Sequence, residues 1–253
     1  MRFASLGSGS RGNGTLIEAD NTLVLLDCGF ATVHVVARMA RLGKHPSDLT
    51  AIVVTHEHGD HINGVGPLAR RYNIPVWMTP GTARHPRLGV LPQQQLFNSH
   101  ATFAIDALEL APYPVPHDAR EPVQFVFGDG QRRLGILTDV GCRTPHIESQ
   151  LSGCEALLLE CNHDSDMLHG GGYPASLKQR VGGRHGHLSN VQSAELLSTL
   201  DRSRLQHLVA AHLSAENNRP ALAQQALAEV MNCSLDWIGV ADQDEGLMWR
   251  EIA

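Results

Sequence analysis

Four metal-ligating side chains fall within six residues of this chain: His56, His58, Asp60 and His61, in the run His-Glu-His-Gly-Asp-His. The run directly follows Ala51–Thr55, an apolar, β-rich stretch that reads as a short buried strand. Alternate residues of an extended chain point the same way, so His56 and His58 can present imidazoles to one ion. Asp60 and His61 lie in the turn beyond, where they can reach a second ion beside the first. The set contains no cysteine, and imidazole with carboxylate suits Zn²⁺, Mn²⁺ or Fe²⁺. Solvated loop histidines are a poor explanation for this spacing, so the fold must bring a strand end to a metal site.

The remaining pattern supports an α/β domain. Strands are expected at Arg2–Leu6, Thr15–Ala19, Leu23–Asp27, Val76–Thr79, Leu108–Val115 and Val123–Phe127. Further strands are expected at Leu134–Thr138, Ala156–Glu160, Leu208–Ala211, Ser234–Ile238 and Leu247–Arg250. Helical spacing marks residues 32–43, Val65–Tyr72, Ser189–Leu200 (with Ser189 as N-cap) and Pro220–Met231. Strands dominate the first part and helices interleave later, which implies a sheet core covered by helices. There is no internal repeat and no Pro/Gly/Ser-rich linker, so one domain spanning 1–253 is the expectation.

Composition restricts partners. The formal net charge is −6, and a non-specific nucleic-acid binder usually carries a basic excess. Any such substrate must then be held by local basic residues and by metal. Five cysteines, at 28, 142, 154, 161 and 233, form no C-x-x-C pair. With no secretory h-region or membrane-length apolar run, they fit reduced thiols in a cytoplasmic protein. Neither a membrane partner nor an organic cofactor is expected, and the oligomeric state is left open.

His-x-His-x-Asp-His resembles the signature of the metallo-β-lactamase superfamily, and further matches follow in family order. Asp27, closing Leu-Val-Leu-Leu-Asp, resembles an aspartate that supports the ligands. His117 in Val-Pro-His-Asp-Ala resembles the third histidine of the first metal site, Asp139 in Leu-Thr-Asp-Val-Gly the bridging carboxylate, and His212 in Ala-Ala-His-Leu-Ser the last histidine of the second site. The resemblance implies a four-layer αββα sandwich holding two divalent ions, Zn²⁺ or Mn²⁺. His56, His58 and His117 would bind one ion and Asp60, His61 and His212 the other, with Asp139 spanning both. Two such ions activate a water for hydrolysis, which makes Asp60 part of the catalytic set.

His187, in Arg-His-Gly-His-Leu-Ser-Asn, resembles an element that phosphodiesterases of this fold carry before their final ligand, and is the candidate proton donor. Its alternative is helix capping, and His185 is a second candidate for the role. Glu160 and His163, in Leu-Glu-Cys-Asn-His-Asp, are candidates for supporting the ligands or the leaving group, or for a plain strand-end turn.

Spacing narrows the substrate class. His117 and Asp139 are 22 positions apart, too close to hold the arm typical of tRNase Z. Asp139 and His212 are 73 apart, too close for the insert of β-CASP nucleases. Leu-Gly-Ser-Gly-Ser-Arg-Gly-Asn-Gly, Leu-Glu-Cys-Asn-His-Asp, Tyr-Pro-Ala-Ser-Leu-Lys-Gln-Arg and Gly-His-Leu-Ser-Asn resemble the YycJ-like (WalJ) subgroup. That resemblance implies 5′-to-3′ exonuclease action on DNA. Gly170–Ala194 contains Lys178, Arg180 and Arg184 and no acid, a local strip that can steer phosphates or simply be solvated. Asn13, in the Gly-rich loop, is a candidate to approach a phosphate. The alternatives are a small phosphodiester or thioester hydrolase on the same metals, or a metal-bound regulatory protein without turnover.

Overall fold

Strands buried on both faces set the layers. The computed structural model describes all 253 residues. Strands β1 (Arg2–Gly7), β2 (Gly14–Ala19), β3 (Thr22–Leu26), β4 (Ala51–Val53), β5 (Val76–Met78) and β6 (Gln94–Leu96) pair in chain order as one sheet. Strands β7 (Phe103–Ile105), β8 (Leu108–Pro114), β9 (Val123–Gly128), β10 (Arg133–Leu137), β11 (Ala156–Glu160), β12 (His207–Ala211) and β13 (Gly239–Val240) do the same in a second sheet. The last strand, β14 (Leu247–Glu251), returns to the first sheet beside β1.

Every residue of β3 and β4 is buried, as a parallel pair covered on both faces requires. Val24, Leu26, Ala51 and Val53 point between the sheets and meet Phe125, Phe127, Ile136, Leu158 and Val209. The intervening Leu23, Leu25 and Ile52 point outward, against Val35 and Met39 of α1 (Thr32–Arg41). After the short α2 (Gly59–Ile62), α3 (Val65–Tyr72) adds Leu68 and Ala69 to that outer layer; α4 (Pro80–Ala83) follows β5.

The second sheet is covered by α5 (Pro145–Leu151), whose Ile147 and Leu151 pack on Leu157 and Leu159. Two short helices, α6 (Ser165–Gly170) and α7 (Ala175–Val181), precede α8 (Asn190–Thr199) and α9 (Pro220–Met231), which complete that cover. The order helix–sheet–sheet–helix is the four-layer αββα sandwich expected from the sequence.

The expected strand at Ser234–Ile238 is a correction. Leu235–Trp237 is a 3₁₀ turn and only Gly239–Val240 joins the ladder. Leu235 and Trp237 are 44% and 38% exposed, so that apolar run has no sheet face to fill. Strands β6 and β7 and helices α5–α7 carried no periodic signal. All three residues of β6 are exposed and no residue of α7 is buried.

Phe125 is fully buried where the two sheets meet. Phe125→Ala should destabilise the fold by about 3–5 kcal/mol through lost transfer energy and a cavity. Urea unfolding checks this; a loss below about 1 kcal/mol would show that the sheets close over the gap.

Candidate metal centre

The C-terminal ends of the parallel strands converge on one edge of the sandwich, where α/β folds place their sites. Asp27 follows β3, His56–His61 follow β4, His117 follows β8, Asp139 follows β10, Glu160 ends β11 and His212 follows β12. Asp27, Asp139 and His212 adopt left-handed backbone, with φ of 59°, 52° and 56°. Each such turn costs on the order of 1 kcal/mol or more for a residue with a Cβ. It swings the side chain off the strand and into the site.

Three groups of candidate ligand atoms result, one of them Asp139, Glu160, His187 and His212. One atom each from His56, His58 and His117 lie within 4.8 Å of one another, and so do those of Asp60, His61, Asp139 and His212. Asp139 touches both of these groups: its Oδ1 is 3.8 Å from His117 Nε2 and its Oδ2 is 3.2 Å from His61 Nε2. These two clusters contain the residues that the family resemblance implied as metal ligands.

A second ring of contacts fixes each imidazole. Asp27 Oδ2 accepts from His61 Nδ1 at 2.8 Å and from Thr55 Oγ1 at 2.8 Å. Thr55 Oγ1 in turn lies 2.9 Å from His56 Nδ1, so one aspartate orients two ligands. His117 Nδ1 donates to the Gly186 carbonyl at 3.2 Å.

Glu160 is the hub. Its Oε1 accepts from the Asp139 amide (2.9 Å), His187 Nδ1 (2.9 Å) and His212 Nδ1 (3.0 Å). Its Oε2 accepts from the amides of Val140 (3.2 Å) and Leu188 (3.0 Å). With both oxygens filled, Glu160 serves as an orienting group for the ligands around it. Fixing the second nitrogen of a ligating histidine in this way sets the tautomer and raises ligand basicity.

The electrostatics suit cations. Burial would depress His212, but Asp139, Asp60 and Glu160 outweigh it and push it up to about 10. Burial likewise opposes the rise of His61, which Asp139, Asp60 and Asp27 drive well above the usual imidazole range. His56 and His117 are held low, chiefly by burial, in the neutral form a metal needs. His56 Nε2, His212 Nε2 and Asp139 Oδ2 are buried with no hydrogen-bond partner. Such orphans cost about 1–3 kcal/mol each, and divalent cations accepting these lone pairs remove that cost. The residues fit the metals.

Other sequence candidates separate cleanly. His187 lines a cleft of about 340 Å³ above the ligands, with Tyr173, Leu177 and Arg180 forming one wall. Ser189, not His187, caps α8, in a capping box with Gln192. Arg180 donates from Nε to Asp118 Oδ2 at 2.7 Å at the mouth of the cleft. Lys178 donates instead to the His169 carbonyl and lines a different cleft, which it shares with the buried His163. Burial pushes His163 down to about 4, and its ring lies apart from both ligand groups. Arg184 and His185 are exposed outside the cleft lining.

Asn13 is buried rather than presented to the cleft. Its Nδ2 is 3.1 Å from the Gly9 carbonyl and 3.2 Å from Asp60 Oδ2, so it steadies a ligand. Gly29 serves the same turn: a Cβ there would overlap the Asp60 carbonyl. Sequence reasoning missed Thr55 and Asp118, although each adjoins a ligating histidine in sequence.

Comparison with known proteins agrees with this architecture. A family model described as a beta-lactamase superfamily domain matches residues 22–212. An exodeoxyribonuclease YycJ of Bacillus anthracis is 33% identical over 91% of this chain and 89% of its own length. The chain belongs to the metallo-β-lactamase superfamily. Within it, the chain falls in the YycJ/WalJ subgroup: an exodeoxyribonuclease WalJ of Streptococcus pneumoniae is 32% identical over 90% of this chain and 87% of its own. The fold is shared with the Zn²⁺-bound PqqB of Methylobacterium extorquens, which superposes with a TM-score of 0.75 at 18% identity, covering 99% of this chain and all of that one. As a member of this superfamily, the protein is a metal-dependent hydrolase acting on ester bonds.

Two outcomes follow from the geometry. Glu160→Gln places an amide NH₂ against N–H donors, and should weaken metal affinity about 10–100-fold, read by competition with a chromogenic chelator. Unaltered affinity would mean that His212 is held without Glu160. Stripping metal present at about 1,000 times its Kd removes about 4 kcal/mol, which for a chain of this size is a fall in Tm of about 8–16 °C. Calorimetry with and without chelator measures it, and an unmoved Tm would argue against a built-in metal centre.

Proposed function

We propose that this protein is a metal-dependent DNA exonuclease that digests from the 5′ end with two divalent ions, Zn²⁺ or Mn²⁺. The observation that carries the reading is a cluster of His and Asp side chains able to hold metal, lining a cleft of mostly polar residues, in a chain one-third identical to exodeoxyribonucleases along nine-tenths of its length. The 5′-to-3′ polarity rests on the subgroup resemblance.

His56, His58 and His117 would hold one ion, Asp60, His61 and His212 the other, and Asp139 both. Divalent ions bound there would supply Lewis-acid charge to the phosphodiester and lower the pKa of a water. The chain's own groups do the rest. His187 directs Nδ1 to Glu160, which leaves Nε2 as the nitrogen able to hand a proton to the departing oxygen. Glu160 holds the charged imidazole, and burial, although it opposes this, is outweighed by Glu160 and Asp139. Arg180 uses Nε on Asp118, leaving its terminal nitrogens for a phosphate.

The test is digestion of a 5′-phosphorylated, 3′-labelled duplex by protein loaded with Mn²⁺ or Zn²⁺. Wild type should shorten the strand progressively from the 5′ end, and Asp60→Ala should not. His187→Asn should lose about 10²–10⁴ in kcat with metal content unchanged, and lose less on a p-nitrophenyl phosphodiester, whose leaving group needs no proton. No cleavage with both metals bound would sink the exonuclease reading and redirect the search to small phosphodiesters and thioesters.

A further inference from the structure

Residues 61–105 contain Arg70, Arg71, Arg84 and Arg87 and not one Asp or Glu, in a chain of net charge −6. This acid-free segment begins inside the ligand motif itself, at His61. Most cations elsewhere are neutralised: Arg2 and Lys44 by Glu18, Arg11 and Arg38 by Asp244, Arg41 by Glu245. At the metal cleft Arg180 is paired with Asp118, whereas the arginines of residues 61–105 are not paired with carboxylates.

Arg84 and Arg120 line one open cleft with Pro80, Gly81 and Glu121, and both are exposed. Neither guanidinium is paired with a carboxylate. Glu121, the only acid in the lining, is already committed: its Oε2 accepts the Gly81 amide at 2.7 Å, and its Oε1 lies 3.4 Å from Ser99 Oγ. Those bonds anchor the start of α4 to the loop that carries His117. Arg120 stands three residues beyond His117, and its amide donates to Glu57 Oε1 at 2.9 Å, between His56 and His58. Arg87 reaches the same motif from the other side, donating from Nη1 to Asn63 Oδ1 at 2.8 Å over Gly59. The loop 117–121 therefore separates two basic surfaces, Arg180 at Asp118 and the Arg84–Arg120 cleft at Glu121.

We propose that Arg84 and Arg120, with Arg87 beside them, form a second phosphate-binding surface that holds the DNA strand beyond the scissile phosphate. This rests on the nuclease reading above. Unpaired guanidiniums with free forks are the groups that bind phosphate oxygens, and they position a backbone without reading sequence. The consequence is a length preference. An oligonucleotide long enough to reach both surfaces binds more tightly than one that fills only the metal cleft.

The experiment compares wild type, Arg84→Ala/Arg120→Ala, the charge-keeping Arg84→Lys/Arg120→Lys, and the remote exposed Arg250→Ala, all metal-loaded, on duplexes of graded length. For the alanine pair, KM on long duplex should rise about tenfold at moderate salt. The slope of log K against log [salt] should shrink by about 1.8, the loss of two phosphate contacts. The length dependence should flatten, the lysine pair should keep most of the slope, and Arg250→Ala should match wild type. An alanine pair with wild-type slope and length dependence overturns the proposal, as does a slope lost equally by Arg250→Ala. Wild type that cuts no DNA would overturn the nuclease reading instead.

Discussion

The site is organised around one buried carboxylate. Glu160 is fully enclosed at the end of β11, where an ionised group is costly unless its lone pairs are filled. Five N–H donors fill them, from Asp139, Val140, Leu188, His187 and His212. Those donors belong to three separate stretches of chain: the end of β10, the approach to α8 and the end of β12. Burial raises the carboxyl's pKa, yet His187 and His212 more than offset it and hold it near 2. The carboxylate form is favoured, and its hydrogen bonds keep Asp139, His212 and the candidate proton donor His187 in one frame.

The sheet topology makes such a hub possible. Strands β10, β11 and β12 run parallel and in register, Leu137 beside Leu159 and Leu159 beside Ala210. Their C-terminal residues must therefore emerge side by side. The left-handed turns at Asp139 and His212 then redirect side chains that would otherwise follow the pleat. Asp27 repeats the device on the first sheet, where β3 and β4 are the parallel pair. Small amounts of backbone strain, on the order of 1 kcal/mol each, are compensated by a ligand set rigid on both sides.

Those features explain what the sequence could reveal. A ligand cluster after an apolar strand is a local pattern, so His56–His61 and the strands that precede Asp139 and His212 were readable directly. Val65–Tyr72, Pro220–Met231 and Ala156–Glu160 matched because each buries a regular face. Short elements on the surface did not: β6 and α7 bury nothing. Glu160 was legible as a candidate for supporting the ligands, but not as the hub, because its five donors converge only in three dimensions. The basic strip at 178–184 divides for a related reason. One helical turn sends Arg180 to the cleft and Lys178 away from it, and composition carries no direction.

Net charge is blind to direction in the same way. A value of −6 argues against a nucleic-acid partner only if charge is spread evenly. Here carboxylates at 18, 244, 245 and 251 neutralise cations on the β1–β14 side of the sandwich. The acid-free segment after Asp60 leaves arginines unpaired beside the ligands. At physiological salt the screening length is about 8 Å, so an anion in the cleft lined by Arg84 and Arg120 would sense those two guanidiniums more strongly than distant acids. For an enzyme that must pass a polyanion across a carboxylate-rich centre, the arrangement is self-consistent. Negative charge is concentrated at the candidate ligands Asp60 and Asp139 and at Glu160, and the unpaired Arg84 and Arg120 lie outside that cluster.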